Sequence, residues 1–488
     1  ILKGYECFVQ RIDSKSTNIR FDDIQKELDE NPSEKLLQEL EALEFQDDTF
    51  GYPFIITTFV RIFETLLGNK NHELMKLPNF SNCVFLLDEI QSLPPRLYGF
   101  FVAYLDKFCK LTGSFAIVST ATQPALRLPD DNKEAKEFFL DYEQPFKLLS
   151  LSHYENPVFN RYTVEVQKSI IDIEQLGLQV LQEEKSVLVI LNTIQDTKDL
   201  YNFITENMDD TNVLLLNTHF TQRDRSLKIY LAKRKLRQGD KVVLISTQLI
   251  EAGVDIDFPV LYRDFATISS IVQSAGRCNR NGKNAEKGKV VVVRLGTNQG
   301  ERSSLIYQGP DKELIQFSRE SFCESENCEE KDMLNIQKAF FEKICDQLIF
   351  GAYGENLKNN LMEDISQCMY EKVGKFSLID NNIFGEECLY YVPRNGDDKN
   401  FKLLLEYQKN LKESLSHDDK ISIIRYHKRK LSNQLKKMSN RIVQIRFKQN
   451  QTKPITSSDE DYNGLCKISS ECYNFRTGIQ IDGGGMLL

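Results

Sequence analysis

The sequence predicts an α/β protein: two tandem parallel-sheet units followed by a mixed α+β region. Three observations predict it. Short β-branched runs alternate with helical patterns up to about Thr297, the signature of parallel strands joined by helices across their faces. A polar, proline-containing stretch from Pro145 to Asn160 divides those runs into two sets. Beyond Thr297 the alternation gives way to a mixture of helix-like and strand-like segments.

Residues 21–48 are acidic, with Leu36, Leu37, Leu40 and Leu43 at helical spacing, which suits an amphipathic surface helix. The runs FIITT (54–58), CVFLLD (83–88) and FAIVS (115–119) are expected as buried strands of a first unit, residues 1–145. VLVIL (187–191), VLLL (213–216), VVLIS (242–246) and KVVVVR (289–294) play the same part in a second unit, residues 146–300. In an accessory region, residues 301–488, a helix is expected at 334–350 and a strand at ECLYYV (387–392). There Leu431, Leu435, Met438 and Ile442 recur with helical period, giving one apolar face, and Val443, Ile445 and Phe447 then alternate like a strand.

At 488 residues the chain exceeds one typical domain, and two to four compact units are expected. No stretch approaches the roughly 18 apolar residues of a membrane helix, so no membrane partner is expected. The N-terminus, ILKGYECFVQRIDSK, has neither an initiator Met nor the pattern of a secretory signal and reads as an internal start. Eleven cysteines is an odd count, and the close pairs Cys323/Cys328 and Cys466/Cys472 lack the C-x-x-C spacing of zinc sites. They read as structural thiols of a reducing, cytoplasmic setting. With a net charge of −9 and a pI near 5.4, binding to a phosphate backbone must come from local basic surface. Two such stretches exist, Arg223 to Arg237 and Arg425 to Lys448, the second of which also fits a solvated helix face.

Asp88 and Glu89 follow directly on the apolar run CVFLL, two adjacent carboxylates at the carboxyl end of a buried strand, where open α/β sheets place their ligands. A nucleotide-hydrolysing site of the Walker B kind needs both acids. Asp88 holds the water shell of Mg²⁺ beside the phosphates, and Glu89 orients or deprotonates the attacking water. The plainer reading is two acids ending a strand at a loop. Ser119, Thr120 and Thr122 close the next strand with small hydroxyls that can bond to a neighbouring strand end. That order, acids then S-T-A-T, is the order of motifs II and III in superfamily 2 helicases.

In the second unit Gln273, Arg277 and Arg280 fall at i, i+4 and i+7, so a continuous helix would put all three on one face. Two guanidiniums and an amide pointing one way suit a phosphate, the arginine-finger role. The plainer reading is a capping box, Ser270-x-x-Gln273, with surface arginines. Gly276 inside that helix would cost about 1 kcal/mol relative to Ala unless close approach to another surface requires it. Upstream, Thr247 and Gln248 end a strand where they can reach a nucleic-acid backbone. Gly253 lets the chain come near a nucleotide, and Asp255 can accept a ribose hydroxyl or an arginine.

The strings LLDEIQSLPPRL, STATQPAL and STQLIEAGVDIDFPVLYRDFATISSIVQSAGRCNRNGK, with a fainter KVGKFSLID, resemble the CRISPR-associated helicase-nuclease of type I interference systems. The resemblance runs from about Ile55 to Lys283 and is loose elsewhere. It implies two RecA-like folds that clamp ATP and Mg²⁺ between them and walk along single-stranded DNA exposed by an RNA-guided surveillance complex. By position it implies Asp88 and Glu89 as the metal and water residues, Arg277 and Arg280 as fingers, Gln273 near the terminal phosphate, and Gln91 on the cofactor side. It also implies that Ser119, Thr120 and Thr122 couple the two ligands. Thr57, Thr58, Asn192, Thr193, His219, Thr247 and Gln248 would face the DNA backbone.

The sequence departs from that family in two places. It holds no G-x-x-x-x-G-K-[ST] loop to seat the β- and γ-phosphates, and no nuclease block; only His417-Asp418 among its histidines has the dipeptide form, in a polar stretch. The expectation is therefore a fragment of an ATP-dependent DNA translocase, inactive by itself and without nuclease activity. The alternatives are a non-catalytic binding module that keeps the folds, or a superfamily 2 RNA helicase of another family.

Overall fold

A computed structural model describes residues 8–480 apart from 14–18, 32, 123, 155, 209–211, 283–285, 298–299, 308, 323–326, 355–356, 379–385, 394–398, 418, 448–452, 455 and 457–461. Gln123, Lys283, Cys323 and Asp418 thus lie outside the described residues. The first unit holds two parallel pairs of strands, β1 (Val9–Ile12) with β2 (Phe54–Thr57), and β3 (Val84–Asp88) with β4 (Phe115–Ser119). The helix Tyr98–Thr112 connects β3 to β4 in the manner of a βαβ unit, and Gly113 at φ 68° ends it. Phe85 and Leu87 turn inward to the core of this unit. On the opposite face Val84 and Leu86, and their register partners Phe115 and Ile117, are 60, 74, 71 and 42% exposed. Parallel sheets are ordinarily covered on both faces, so this face of β3 and β4 is bare where the fold expects a layer.

The second unit is one continuous sheet. In sequence its strands are β5 (Tyr162–Ile171), β6 (Val187–Ile190), β7 (Val213–Leu216), β8 (Val243–Ser246), β9 (Val260–Asp264) and β10 (Gly288–Thr297). In space they run β5-β10-β9-β6-β8-β7, all parallel, and β11 (Gly300–Glu301) and β12 (Asn327–Glu329) add antiparallel edges on β10 and β5. β12 comes from beyond residue 300, so the second sheet takes a strand from the segment assigned to the accessory region. The central strands are buried on both faces, which is why they read as uninterrupted Val, Ile and Leu. Helix Ile173–Gln182 starts on a capping box of Asp172 and Gln175. It packs so closely on helix Ile194–Asn207 that a Cβ on Gly177 would sit 2.3 Å from the Phe203 ring.

Helix Met333–Gln347 joins the two units. Phe340, Phe341 and Ile344 share one hydrophobic core with Leu97 and Phe100 of the first unit and Ile268 and Ile271 of the second. Arg127 bonds Glu342 and Asp346 at 2.7 Å each, and Arg96 pairs with Glu313 at 2.6 Å. Further on, β13 (Ala352–Tyr353) and β14 (Asn359–Asn360) make a short antiparallel pair. A three-stranded sheet follows, β15 (Glu386–Tyr391) between β16 (Ile442–Phe447) and β17 (Leu465–Lys467), backed by helices Lys399–Ser416 and Ile421–Met438.

The basic helix Ile421–Met438 lies against the acidic helices Ile19–Glu30 and Glu34–Asp48. Arg429 bonds Glu44 and stands 4.0 Å over the Phe21 ring, Arg425 pairs with Glu41 at 3.6 Å, and Asn433 donates to Gln25 at 2.6 Å. Part of its charge therefore serves intramolecular packing and not a solvated face alone. The small hairpin β18 (Tyr473–Asn474) and β19 (Gly478–Ile479) ends the described chain.

Candidate functional site

Asp88 ends β3 with an exposed carboxylate that takes no protein partner among the described residues. Glu89 follows in the left-handed region, φ 59°, a conformation that costs a non-glycine residue roughly 1–2 kcal/mol. Its amide donates to the Ser119 carbonyl at 2.9 Å, which locks the turn to the end of β4. Its carboxylate accepts from the Gln91 amide, and the Gln91 carbonyl accepts from Thr120 Oγ1. Thr120 also bonds the main chain of Thr122, at 2.6 Å to its carbonyl and 3.2 Å from its amide. The two acids and the hydroxyl turn are thus joined through one buried glutamine, itself pinned by Tyr98 Oη on its carbonyl at 2.8 Å. Gln91 spends its side-chain amide on that link.

In the second unit the structure corrects the helix expected to carry three phosphate-facing groups. Helix Ile268–Ala275 stops with Gly276 as its C-cap, so Gln273 is on the helix and Arg277 and Arg280 are beyond it. Gly276 therefore carries no mid-helix penalty. Nor does Ser270 cap the helix, since Thr267 is the N-cap. Arg277 points inward, Nε donating to the Ile250 carbonyl at 3.1 Å and Nη2 to the Glu251 carbonyl. Arg280 stays half-exposed and pairs with Asp255 at 3.1 Å, the arginine contact open to that aspartate. Its amide donates to Asp257 at 2.8 Å. Gln273 is half-buried and has no side-chain partner among the described residues. Gly253 adopts φ 72°, with nothing within 4 Å of where a Cβ would stand, so the turn and not crowding calls for glycine.

Behind this loop lies a buried polar network that the sequence reading did not single out. Arg263, fully buried at the end of β9, donates to Asn192 at 2.8 Å and to Ser270 at 2.8 Å, and pairs with Glu251 at 3.1 Å. Ser270 and Ser274 donate to the same carboxylate. Asn192 donates to Asp264 at 2.6 Å and accepts from Gln248 at 3.2 Å. Burial raises the Asp264 carboxyl to about 7 and pushes Glu251 up as well, against the pull of Arg263. The available signal was the Arg-Asp pair ending the apolar run VLYRD: a buried charge must find several hydrogen-bond partners, and loop polar groups supply them.

The residues expected to face a nucleic-acid backbone divide accordingly. Thr57 is half-buried and donates to the Ile12 carbonyl at 2.7 Å, while Thr58 is exposed and caps helix Phe59–Leu67. Asn192 is committed to the buried network, and Thr193 is buried as the cap of helix Ile194–Asn207, bonded to Asp196 at 2.6 Å. Thr247 is buried and Gln248 half-buried with its amide on Asn192. His219 is buried beneath the β18–β19 hairpin, and burial lowers its pKa to about 3. Asn192, Thr193, Thr247 and His219 thus lack the open surface expected of them. Among the described residues no three His, Cys, Asp or Glu side chains cluster as a metal site, and no helix is long and apolar enough to cross a membrane.

The fold is two linked α/β units, with acids ending one strand and an arginine-bearing turn after a helix in the other. Comparison with known proteins shows what the chain is similar to. Residues 183–283 match the family model described as CRISPR-associated nuclease/helicase Cas3, C-terminal. The CRISPR-associated nuclease/helicase Cas3 of Methanothermobacter thermautotrophicus is 28% identical over 302 residues, 59% of this chain and 34% of that protein. The fold is shared with the crystal structure of T. fusca Cas3 with AMPPNP, at TM-score 0.54 and 14% identity over 86% of this chain and 54% of that one. It is shared as well with a chain of a CRISPR RNA-guided surveillance complex, pre-nicking, at TM-score 0.55 and 14% identity over 89% and 61%. The resemblance to the CRISPR-associated helicase-nuclease is borne out, and the fold is α/β as expected. The chain spans about a third of the length of the curated relatives it matches.

Proposed function

We propose that this chain is the larger part of an ATP-driven motor that moves along single-stranded DNA, and that its chemistry is complete only with a phosphate-binding loop the chain does not contain. The observation that carries the reading is the Glu89–Gln91–Thr120 link beside the unpartnered carboxylate of Asp88. Asp88 fits a cation: it is an oxygen donor, exposed, and free of a competing protein partner. It would hold Mg²⁺, which when bound neutralises phosphate charge. Glu89, held by Gln91 and the Ser119 carbonyl, would orient the attacking water and take its proton. Thr120 would register the position of Glu89 and pass it to the β4 end. Arg280, swinging from its exposed pair with Asp255, would meet the nucleotide from the second unit, with Gln273 beside it.

The bare face of Val84, Leu86, Phe115 and Ile117 supports the same reading. β4 pairs only with β3 among the described residues, so its other edge is open to a further parallel strand. A strand–loop–helix added there would bring a phosphate loop to the carboxyl end of the sheet, beside Asp88. The DNA would be one displaced by an RNA-guided surveillance complex, as the family's name and the pre-nicking neighbour suggest.

The test is DNA-stimulated ATP hydrolysis by this chain and by the polypeptide extended on its N-terminal side through a phosphate loop, with Glu89→Gln as control. Turnover only in the extended form, abolished by E89Q, is the expected result. If the extended form binds DNA and never hydrolyses ATP, the folds serve as a binding module and the motor reading fails.

A further inference from the structure

The hairpin β18–β19 leaves the accessory sheet and seats itself on the second unit. Ile479 N–H donates to the His219 carbonyl at 3.1 Å, and the Thr221 amide donates to Tyr473 Oη at 3.2 Å, while that hydroxyl donates to Asp224. Beneath it lie four basic groups: Lys198 on helix Ile194–Asn207, His219 in the loop after β7, and Arg225 and Lys228 on helix Gln222–Gln238. Lys198 Nζ donates to the Ile479 carbonyl at 3.1 Å and Lys228 Nζ to the Arg476 carbonyl at 3.3 Å. Lys228 is also clasped by two rings, Phe220 at 4.0 Å and Phe475 at 4.8 Å. Among the described residues none of Lys198, Arg225 and Lys228 has a carboxylate within ion-pair distance, and the Nδ1 of buried His219 has no hydrogen-bond partner. Burial accordingly pulls Lys228 down to about 7 and lowers Lys198 and Arg225 too.

This is an unusual way to store cations. Buried charges are normally paired, and here the partners are neutral main-chain carbonyls from a hairpin of two-residue strands, a motif with little stability of its own. An anionic oxygen in place of either carbonyl would add the attraction of opposite charges to the hydrogen bond. Of the two rings only Phe220 stays with the patch when the hairpin lifts. We propose that Lys198, His219, Arg225 and Lys228 form a binding patch for the phosphates of a single nucleic-acid strand, and that the Tyr473–Gln480 hairpin is a displaceable cover which occupies the patch when no strand is bound. The proposal rests on the nucleic-acid reading above. It also accounts for the burial of His219, which becomes accessible only when the hairpin lifts. Gly478 sets the seat: it stands at φ 75°, and a Cβ there would lie 2.8 Å from the His219 carbonyl oxygen.

The experiment measures binding of a fluorescein-labelled single-stranded DNA oligonucleotide by anisotropy across a salt series. The proteins are the native chain, Gly478→Ala, and a chain ending at Cys472, each checked by circular dichroism. Both altered forms should bind several-fold more tightly, with a salt slope steeper by about 2, from three added cations at about 0.7 each on a single strand. Lys198→Gln with Lys228→Gln in the Gly478→Ala background should remove that gain. In the native chain, amides of 473–480 should lose hydrogen-exchange protection when the oligonucleotide is added. Equal binding by all folded forms with unchanged protection overturns the cover and leaves the nucleic-acid reading standing, since the strand then lies elsewhere. Binding by none of them overturns both.

Discussion

Replacing Arg277 by alanine, the obvious control for an arginine finger, should unfold the loop it was meant to test. Its guanidinium makes two buried hydrogen bonds, to the carbonyls of Ile250 and Glu251. A hydrogen bond involving a charged group contributes about 1.5–3 kcal/mol, and a buried carbonyl left without a donor costs a similar amount. Some water will enter the space, so we take the lower end, about 3 kcal/mol for the pair. For a unit of 150–250 residues a change of 1 kcal/mol shifts Tm by roughly 2–4 °C, which makes about 6–12 °C. Arg280→Ala removes only a solvent-facing pair with Asp255, contributing about 0–1 kcal/mol, and Tm should move little. Calorimetry of the two variants beside the native chain decides it. Equal melting temperatures for all three would refute the inward placement of Arg277. If the contrast holds, Arg280→Ala is the variant whose loss of turnover can be read as chemistry.

Gln91→Ala in a hydrolysis-competent extended chain should lower kcat on the order of 100-fold with little change in nucleotide affinity, because Glu89 loses the bond that aims it; steady-state ATPase assays separate the two. Leu86→Lys with Ile117→Lys in this chain should reduce binding of an apolar dye such as ANS without lowering stability, since both side chains already face solvent; a drop in Tm of several degrees would show that the face is covered. Hairpin closure should weaken as pH falls. Lys228 has a folded value near 7 against 10.5 when released, so opening takes up a proton between those values, and below 7 its effect is complete. His219, about 3 closed against 6.5 open, extends the trend below 6.5, Lys198 adds to it, and Tyr473, raised by burial and by Asp224, contributes nothing below 10. Arg225, Arg476, Asp199 and Asp224 are the other charged groups near the hairpin. Hydrogen exchange of residues 473–480, corrected for intrinsic rate, should show greater opening at pH 7 than at pH 9.

The strands were legible because interior strands of a parallel sheet need unbroken apolar runs: VLVIL, VLLL and VVLIS fall on β6, β7 and β8 within a residue. β5 and β9 were not anticipated. β5 alternates polar and apolar residues along an edge later closed by β12, and β9 ends in a charged pair that reads as loop. The strand ends at Asp88 and Ser119 were placed correctly, because a carboxylate at a strand end is a local fact. The helix through Arg280 failed for a nonlocal reason. Residues 277–280 leave helical geometry so that Cys278 can bridge to Phe258, and Asn279 takes φ 45° on the way, which no spacing of arginines announces. The hairpin over His219 was equally silent in sequence, its contacts spanning some 250 residues, from Thr221 to Tyr473.

The strand-end residues read as facing DNA share a physical difficulty. Arg263 brings a guanidinium into the core, where it must find hydrogen-bond partners. Asn192, Glu251 and Ser270 are drawn inward to satisfy it, and Gln248 follows through Asn192. These groups come from the loops after β6 and β8 and from helix Ile268–Ala275. A movement of any one must therefore be met by the other two, or a buried charge loses a partner at a cost of several kcal/mol. In the first unit Gln91 plays the same part with far less at stake, since Glu89 is half-exposed and water can replace the amide. The loops of the second unit are thus tied to one buried charge, and the link through Gln91 in the first unit is the looser of the two. On the motor reading proposed above, coupling between nucleotide and strand should be lost more readily by loosening Gln91 than by any single surface contact to DNA.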